Sequence, residues 1–190
     1  HLYFQNHLGW VTFHGPMILS QALAEITREE EEHLQACWTV PNYKSLLMFP
    51  QMSVLKPGVA EGILTGGCLS TIVSSIGTPY EIQTEGRILF LEDQGEAPYR
   101  LDRMITQLRH SGKLDSIAGI LLGEFVDCET SQGDYTALEA IADALSPLDV
   151  PILANFPAGH GRSNWVLPLG TRVRMSSEPK TIEFLEPCTQ

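Results

Sequence analysis

Two residues of this chain have the type and setting that acyl-transfer chemistry uses. Glu92 ends the apolar run Arg87-Ile88-Leu89-Phe90-Leu91-Glu92-Asp93, and His160 sits between two glycines in Pro157-Ala158-Gly159-His160-Gly161. A carboxylate at the carboxyl end of a buried strand stands where ligands collect in open α/β sheets. It can orient a histidine, accept a proton or bind a metal. An imidazole titrates near neutrality and suits a general base. A base needs an orienter that fixes its tautomer and stabilises the imidazolium, so the two together read as two members of a Ser-His-acid triad. Plainer readings stand beside this one. A carboxylate here can bind loop amides or the next helix, and a turn histidine can make a local hydrogen bond. Glu92 and Asp93 are adjacent on a strand and so point to opposite faces, which makes them a poor acid/base pair with each other.

The third member is not evident. No serine lies in a G-x-S-x-G elbow. Ser163 is three residues from His160 and reads as a turn residue. Cys68 is a conceivable nucleophile, because a thiol at a helix N-terminus is acidified. It ranks behind a nucleophile supplied by chain outside this sequence. Thr65-Gly66-Gly67-Cys68 can cradle an anion at a helix start, yet lacks the Gly-Lys-Ser/Thr of a P-loop. A tight turn that lets helix pack on strand explains Gly66 and Gly67 more simply. His14, before Gly15-Pro16, can line a site, and His110 falls at an exposed helix end. No H-E-x-x-H or C-x-x-C spacing occurs, so neither a metal site, a cofactor nor a disulfide framework is expected.

The elements that must carry these residues follow from pattern. The chain has 190 residues, 43% hydrophobic and 18% charged, enough for one domain of ordinary size, with or without an arm. A net charge of −11 argues against nucleic acid or an anionic membrane surface as the main partner. No apolar run spans a bilayer and no signal peptide is visible, so a cytoplasmic protein with reduced cysteines is expected. Leu2-Tyr3-Phe4-Gln5 resembles the core of a cleavable affinity-tag site, and residues 1–6 are set apart as tag-derived. Trp10-Val11-Thr12-Phe13 already reads as a strand, so the sequence is expected to start inside a longer protein.

Spacing predicts a helix over 18–26, then a capping box at Thr27-Arg28-Glu29-Glu30 opening a second helix with a solvated acidic first turn. Residues 39–59 read as loops and short strands. A strand at 61–65 turns at Gly66-Gly67 into a short helix over 69–76. The continuous apolar runs at 87–91 and 117–122 predict strands buried on both faces. Between them Pro98 suits a first helical position, and Leu101, Met104, Ile105 and Leu108 share one helix face. Leu138, Ile141, Ala142 and Leu145 mark another helix, and 151–154 a third strand. This strand–helix alternation predicts βαβ units within an α/β fold. Alternation at 171–175 and 181–185 predicts a terminal hairpin.

Taken together, several stretches resemble the murein LD-carboxypeptidase family of serine peptidases, which includes microcin C self-immunity peptidases. They are Val11-Thr12-Phe13-His14-Gly15-Pro16-Met17, Gly66-Gly67 with Leu69, Ile76-Gly77-Thr78-Pro79-Tyr80, Leu89 to Asp93 with Pro98 to Met104, Gly119 to Gly123, Gly159-His160, and Leu167-Pro168-Leu169-Gly170. They run in family order over nearly the whole chain after residue 9. Cys68 departs from the asparagine that usually follows the two glycines.

The resemblance implies that Glu92 is the triad acid and His160 the base, with serine and oxyanion donors in an N-terminal domain. Residues 7–17 would then be the last strand of that domain plus a linker, and 18–190 the C-terminal domain. It further implies hydrolysis of the bond between an L-diamino acid and D-alanine in a peptidoglycan tetrapeptide, by a homodimer. This chain alone would be inactive. Gly66, Gly67 and Arg100 are candidate substrate contacts, although for Arg100 and Arg103 ion pairs with Glu96 or Asp102 are the favoured reading. Three other functions stay open: a non-catalytic binding or assembly domain of the same fold, a microcin-type peptide–nucleotide peptidase, and a glycosidase-like site using Glu92 and Glu96.

Overall fold

Ile88, Leu89, Phe90 and Leu91 are all solvent-inaccessible, and their alternation divides the core in two. Leu89 and Leu91 join Leu101, Ile105, Leu122 and Ile141 on one side. Ile88 and Phe90 join Leu121, Phe156, Leu167 and Met175 on the other. A strand buried on both faces needs covering layers on both, and burial of each such side chain contributes about 1.5–3 kcal/mol.

The computed structural model describes residues 1–17, 19, 24–129 and 135–189. In chain order these form α1 (Leu2–Leu8), β1 (Thr12–His14), α2 (Arg28–Thr39), β2 (Leu46–Met48), β3 (Ser53–Lys56), β4 (Val59–Cys68) and α3 (Leu69–Ser74). Then come β5 (Ile88–Gln94), α4 (Pro98–His110), β6 (Gly119–Val126), α5 (Ala137–Leu145), β7 (Ile152–Ala154), β8 (Leu167–Leu169), β9 (Arg172–Ser177) and β10 (Lys180–Phe184). An eight-stranded mixed sheet runs in the order β2-β10-β9-β4-β5-β6-β7-β3. Strands β4, β5, β6 and β7 are mutually parallel. Strands β9, β10 and β2 extend one side antiparallel, and β3 covers the edge of β7. Strands β1 and β8 make a separate antiparallel pair.

The predicted βαβ units are present, with α4 and α5 as the crossovers. Pro98 opens α4, which buries Leu101, Ile105 and Leu108. The capping box at Thr27 and Glu30 is formed. A second, at Thr136 and Glu139, opens α5. The terminal hairpin pairs Thr181 with Ser176 and Ile182 with Met175. The helix expected over 18–26 falls largely outside the described residues.

The tag-like segment packs against the rest of the chain: residues 2–8 are helical and Gln5 is 7% exposed. Its amide donates to Thr12 Oγ1 at 3.1 Å and accepts from Thr65 Oγ1 at 3.0 Å. Residues 7–17 likewise carry β1, which pairs with β8 of this same chain.

Gly66 and Gly67, expected as a turn, instead continue β4 to Cys68 in register with β5. Their φ values of 143° and 138° are open only to glycine. A Cβ on Gly66 would lie 1.9 Å from the Phe90 carbonyl oxygen, whereas one on Gly67 meets nothing nearer than His14 Nδ1 at 4.0 Å. Gly67→Ala is therefore expected to cost about 1–3 kcal/mol of backbone strain. Gly66→Ala adds overlap with an immovable backbone and should exceed about 4 kcal/mol. Urea unfolding of both variants checks this, and equal losses would contradict the packing described.

Candidate active site

Strand parity sends the two acids of β5 to different places. Glu92 shares the Phe90 face and Asp93 the Leu91 face. Asp93 Oδ2 accepts from the Ser70 amide at 2.8 Å at the start of α3, and Oδ1 accepts from the Gln94 amide at 2.8 Å. Asp93 thus ties a helix start to the sheet, the plainer role open to this pair. Glu92 has zero exposure, and its Oε2 accepts from His160 Nδ1 at 2.7 Å.

The contact exists because two glycines make room for it. A Cβ on Gly159 would lie 2.8 Å from Glu92 Oε2, and one on Gly123 would lie 3.1 Å from Glu92 Cβ and 2.4 Å from the Ala158 carbonyl. Backbone of β6 and of the His160 loop therefore closes directly over the acid. The loop is held by Asn164, whose Oδ1 accepts from Gly159 N at 3.1 Å while Nδ2 donates to Gly159 O at 2.6 Å. Asn164 went unnoticed in the sequence, and Gly123 entered only as the end of a family-like stretch. The glycine ends an apolar run and the asparagine looks like any turn residue, so neither carries a separate signal.

His160 borders a cleft of about 860 Å³ that Glu92, His14, Gly66, Gly67 and Cys68 also line. With Nδ1 donating to Glu92, Nε2 is left as the basic nitrogen, the arrangement a general base requires. The candidate substrate contacts separate. Gly66 and Gly67 are on the cleft wall. Arg100 is not among the lining residues: it lies exposed on α4, 3.3 Å from Glu96 and 3.2 Å from the Tyr99 hydroxyl. Arg103 stacks on Tyr99 as well. The cation that does border the cleft is Arg162, whose guanidinium donates to Glu25 at 2.7 and 3.0 Å. Cys68 lines the cleft, with its thiol 3.6 Å from Asp93 Oδ1 and 3.1 Å from Ser70 Oγ.

The other cysteines are structural. Cys37 and Cys188 pack in one small cluster under α2, and burial followed by the neighbouring Cys188 pushes the Cys37 thiol up. Among the described residues no group of three or more His, Cys, Asp or Glu is placed to hold a metal ion.

His14 is closer to the chemistry than its sequence context showed. Its ring stacks edge-on to Phe90 at 5.0 Å, and Nε2 lies 3.9 Å from Glu92 Oε1. Both atoms are buried and neither has a hydrogen-bond partner among the described residues. Glu92 is thus flanked by two imidazoles, one bonded and one waiting at longer range. Burial raises the Glu92 pKa, opposed by the His160 bond and charge and reinforced by Asp93. Burial first, then repulsion from His160, lowers the His14 pKa from 6.5 to about 4.

A depressed histidine pKa has a defined consequence for stability. Below pH 6.5 the unfolded chain protonates His14 while the folded chain does not, down to about pH 4. Stability from this residue is therefore full above pH 6.5 and falls as acid is added, by roughly 3 kcal/mol at pH 4. His14→Phe keeps the Phe90 packing and removes the titration. Its urea-unfolding free energy should decline less than the wild-type value between pH 7 and pH 4, and parallel declines would refute a buried neutral His14.

Comparison with known proteins shows the family and the fold. The family model for the LD-carboxypeptidase C-terminal domain matches residues 61–175. A Bacillus subtilis protein named "Probable murein peptide carboxypeptidase" is 35% identical over 192 residues, which cover 95% of this chain and 58% of that protein. The crystal structure of muramoyltetrapeptide carboxypeptidase from Oxalobacter formigenes superposes with a TM-score of 0.80 at 29% identity, over 96% of this chain and 63% of that one. The microcin C7 self immunity protein MccF, in an inactive mutant apo state, gives a TM-score of 0.88 over 100% of this chain and 65% of its own. At 18% identity that likeness is one of fold. The chain thus spans less than two thirds of each relative. With more than half of its length matched by the family model, the chain belongs to the LD-carboxypeptidase C-terminal domain family.

Proposed function

We propose that this chain supplies the acid and base of a serine-type LD-carboxypeptidase acting on murein tetrapeptides. The observation that carries the reading is the 2.7 Å bond between His160 Nδ1 and a fully buried Glu92, beside an open cleft. Family membership and relatives named for murein peptides support the substrate class. A homodimer and a cytoplasmic setting rest on the family resemblance and on bulk properties of the sequence.

In this reading a serine from the rest of the protein attacks the carbonyl of the L-diamino acid–D-alanine bond. His160 Nε2 takes the serine proton and hands it to the departing D-alanine amine. Glu92 holds the ring and stabilises the imidazolium. Water then attacks the acyl-enzyme, again deprotonated by His160. Burial helps Glu92 in this role, because a charge pair out of water is worth more than the same pair in solvent. This reading takes the nucleophile and the oxyanion donors from outside this sequence.

The test compares this chain with the whole protein. The chain alone should release no D-alanine from a tetrapeptide, since the nucleophile and oxyanion donors are what it lacks. In the whole protein, His160→Ala should lower kcat by roughly 10⁴–10⁶. Glu92→Gln should lower it by about 10⁴, through loss of the correct tautomer. Robust D-alanine release by the chain alone, or a His160→Ala enzyme within tenfold of wild type, would sink the assignment. Cleavage of a peptidyl nucleotide in place of the tetrapeptide would move it to a microcin-type peptidase.

A further inference from the structure

The acidic first turn of α2 was expected to face solvent, yet Glu30 is 3% exposed. Its Oε2 accepts from the Thr27 amide at 2.9 Å, which is the capping box. Its Oε1 reaches 134 residues along the chain to accept from the Asn164 amide at 3.1 Å, and it also accepts from the Ser163 hydroxyl. Asn164 is the residue that clamps both main-chain groups of Gly159, directly before His160. A continuous line of hydrogen bonds therefore runs from the N-terminus of α2, through Glu30 and Asn164, to the residue next to the imidazole.

The other capping box of the chain shows what a plain cap looks like. Glu139 sits in an exposed first turn and bonds the amide and hydroxyl of Thr136, its own N-cap. Glu30 differs in being buried and in spending one oxygen on a distant loop. Burial opposes its ionisation, but the bonds from Ser163, Thr27 and Asn164 outweigh that and leave its pKa below the ordinary value. Glu124 meets the same loop from below. A Cβ on Gly161 would lie 1.6 Å from Glu124 Oε2, so the loop backbone rests on that carboxyl. A glycine-rich loop has little rigidity of its own. Here Glu30 of α2 holds it by hydrogen bonds, and the Glu124 carboxyl of β6 packs against Gly161.

We infer that Glu30 is a positioning residue for His160, acting through Ser163 and Asn164 to set the loop that presents the imidazole to Glu92. The inference rests on reading His160 as the base. A mere cap would leave the imidazole unaffected when removed. A positioning residue would not.

The test uses the 190-residue chain and the proton resonance of His160 Nδ1–H, which reports its bond to Glu92. Glu30→Ala and Glu139→Ala each remove one capping box, so thermal melting should fall in both. The Nδ1–H resonance should survive in Glu139→Ala and be broadened or lost in Glu30→Ala. Ser163→Ala leaves the cap intact and should weaken the resonance as well, which decides the matter if Glu30→Ala does not fold. An unchanged resonance in Ser163→Ala and in folded Glu30→Ala overturns the inference. In the whole protein, Glu30→Ala should cost about tenfold to a hundredfold in kcat with KM unchanged. Loss of the resonance in a whole protein that never releases D-alanine would refute the peptidase reading and leave the positioning role standing.

Discussion

A carboxylate with no access to water is the constraint around which this fold is arranged. An ionised group in an apolar interior is strongly unfavourable unless it is paired and hydrogen-bonded. Glu92 meets that demand through one short bond to His160. Removing the His160 imidazole leaves the buried acid without its hydrogen-bond partner, so the acid and the loop that answers it are energetically one unit. The same burial makes the pair useful. A carboxylate that water cannot reach holds its partner at one angle and stabilises positive charge on it more strongly than a solvated one would.

Several features that look unrelated serve this pair. Strand parity places Glu92 on the Phe90 face and frees Asp93 to fasten α3. Glycines at 123 and 159 let two backbones close on the acid without a side chain between them. Parallel pairing of β4, β5 and β6 brings the carboxyl ends of three strands to one edge, where Gly67, Glu92 and the strand continuing to Val126 border the same cleft. The β1–β8 pair then delivers His14 from the opposite end of the chain. The site is assembled from segments about 150 residues apart in sequence, so it forms only when the tertiary fold is complete.

What could be read from the sequence was what depends on local pattern. Strands β5 and β6 announced themselves as continuous apolar runs, α4 by its i, i+3, i+4, i+7 face, and the hairpin by alternation about a proline turn. Glu92 and His160 stood out as a pair, an acid at a strand end and an imidazole in a glycine loop, although each alone also had a plain structural reading. Gly66-Gly67 misled, because two glycines signal a turn far more often than a strand that must pass against a neighbouring carbonyl. Arg100 was a candidate by charge alone, and the pairing with Glu96 that the sequence already favoured is the contact it makes. The contact from Gln5 to Thr65 that packs the tag-like residues onto the body is tertiary and leaves no local signal.

Glu30 shows most sharply where sequence reasoning stops. Locally it is a textless acid in a run of four, and the box with Thr27 accounts for it completely. Its second role depends on a partner 133 residues away that has no distinguishing mark of its own. A hydrogen-bond acceptor has two oxygens with room for several donors, so satisfying the local donor never exhausts it. Burial is what forces the remaining capacity to be used, since an unfilled acceptor costs free energy in the interior and nothing in water. The loop that fills it is the one that carries His160 to Glu92. Whether a capping acid is solvated or committed to a distant loop is therefore decided by the layer packed over the helix start, and here that layer carries the imidazole.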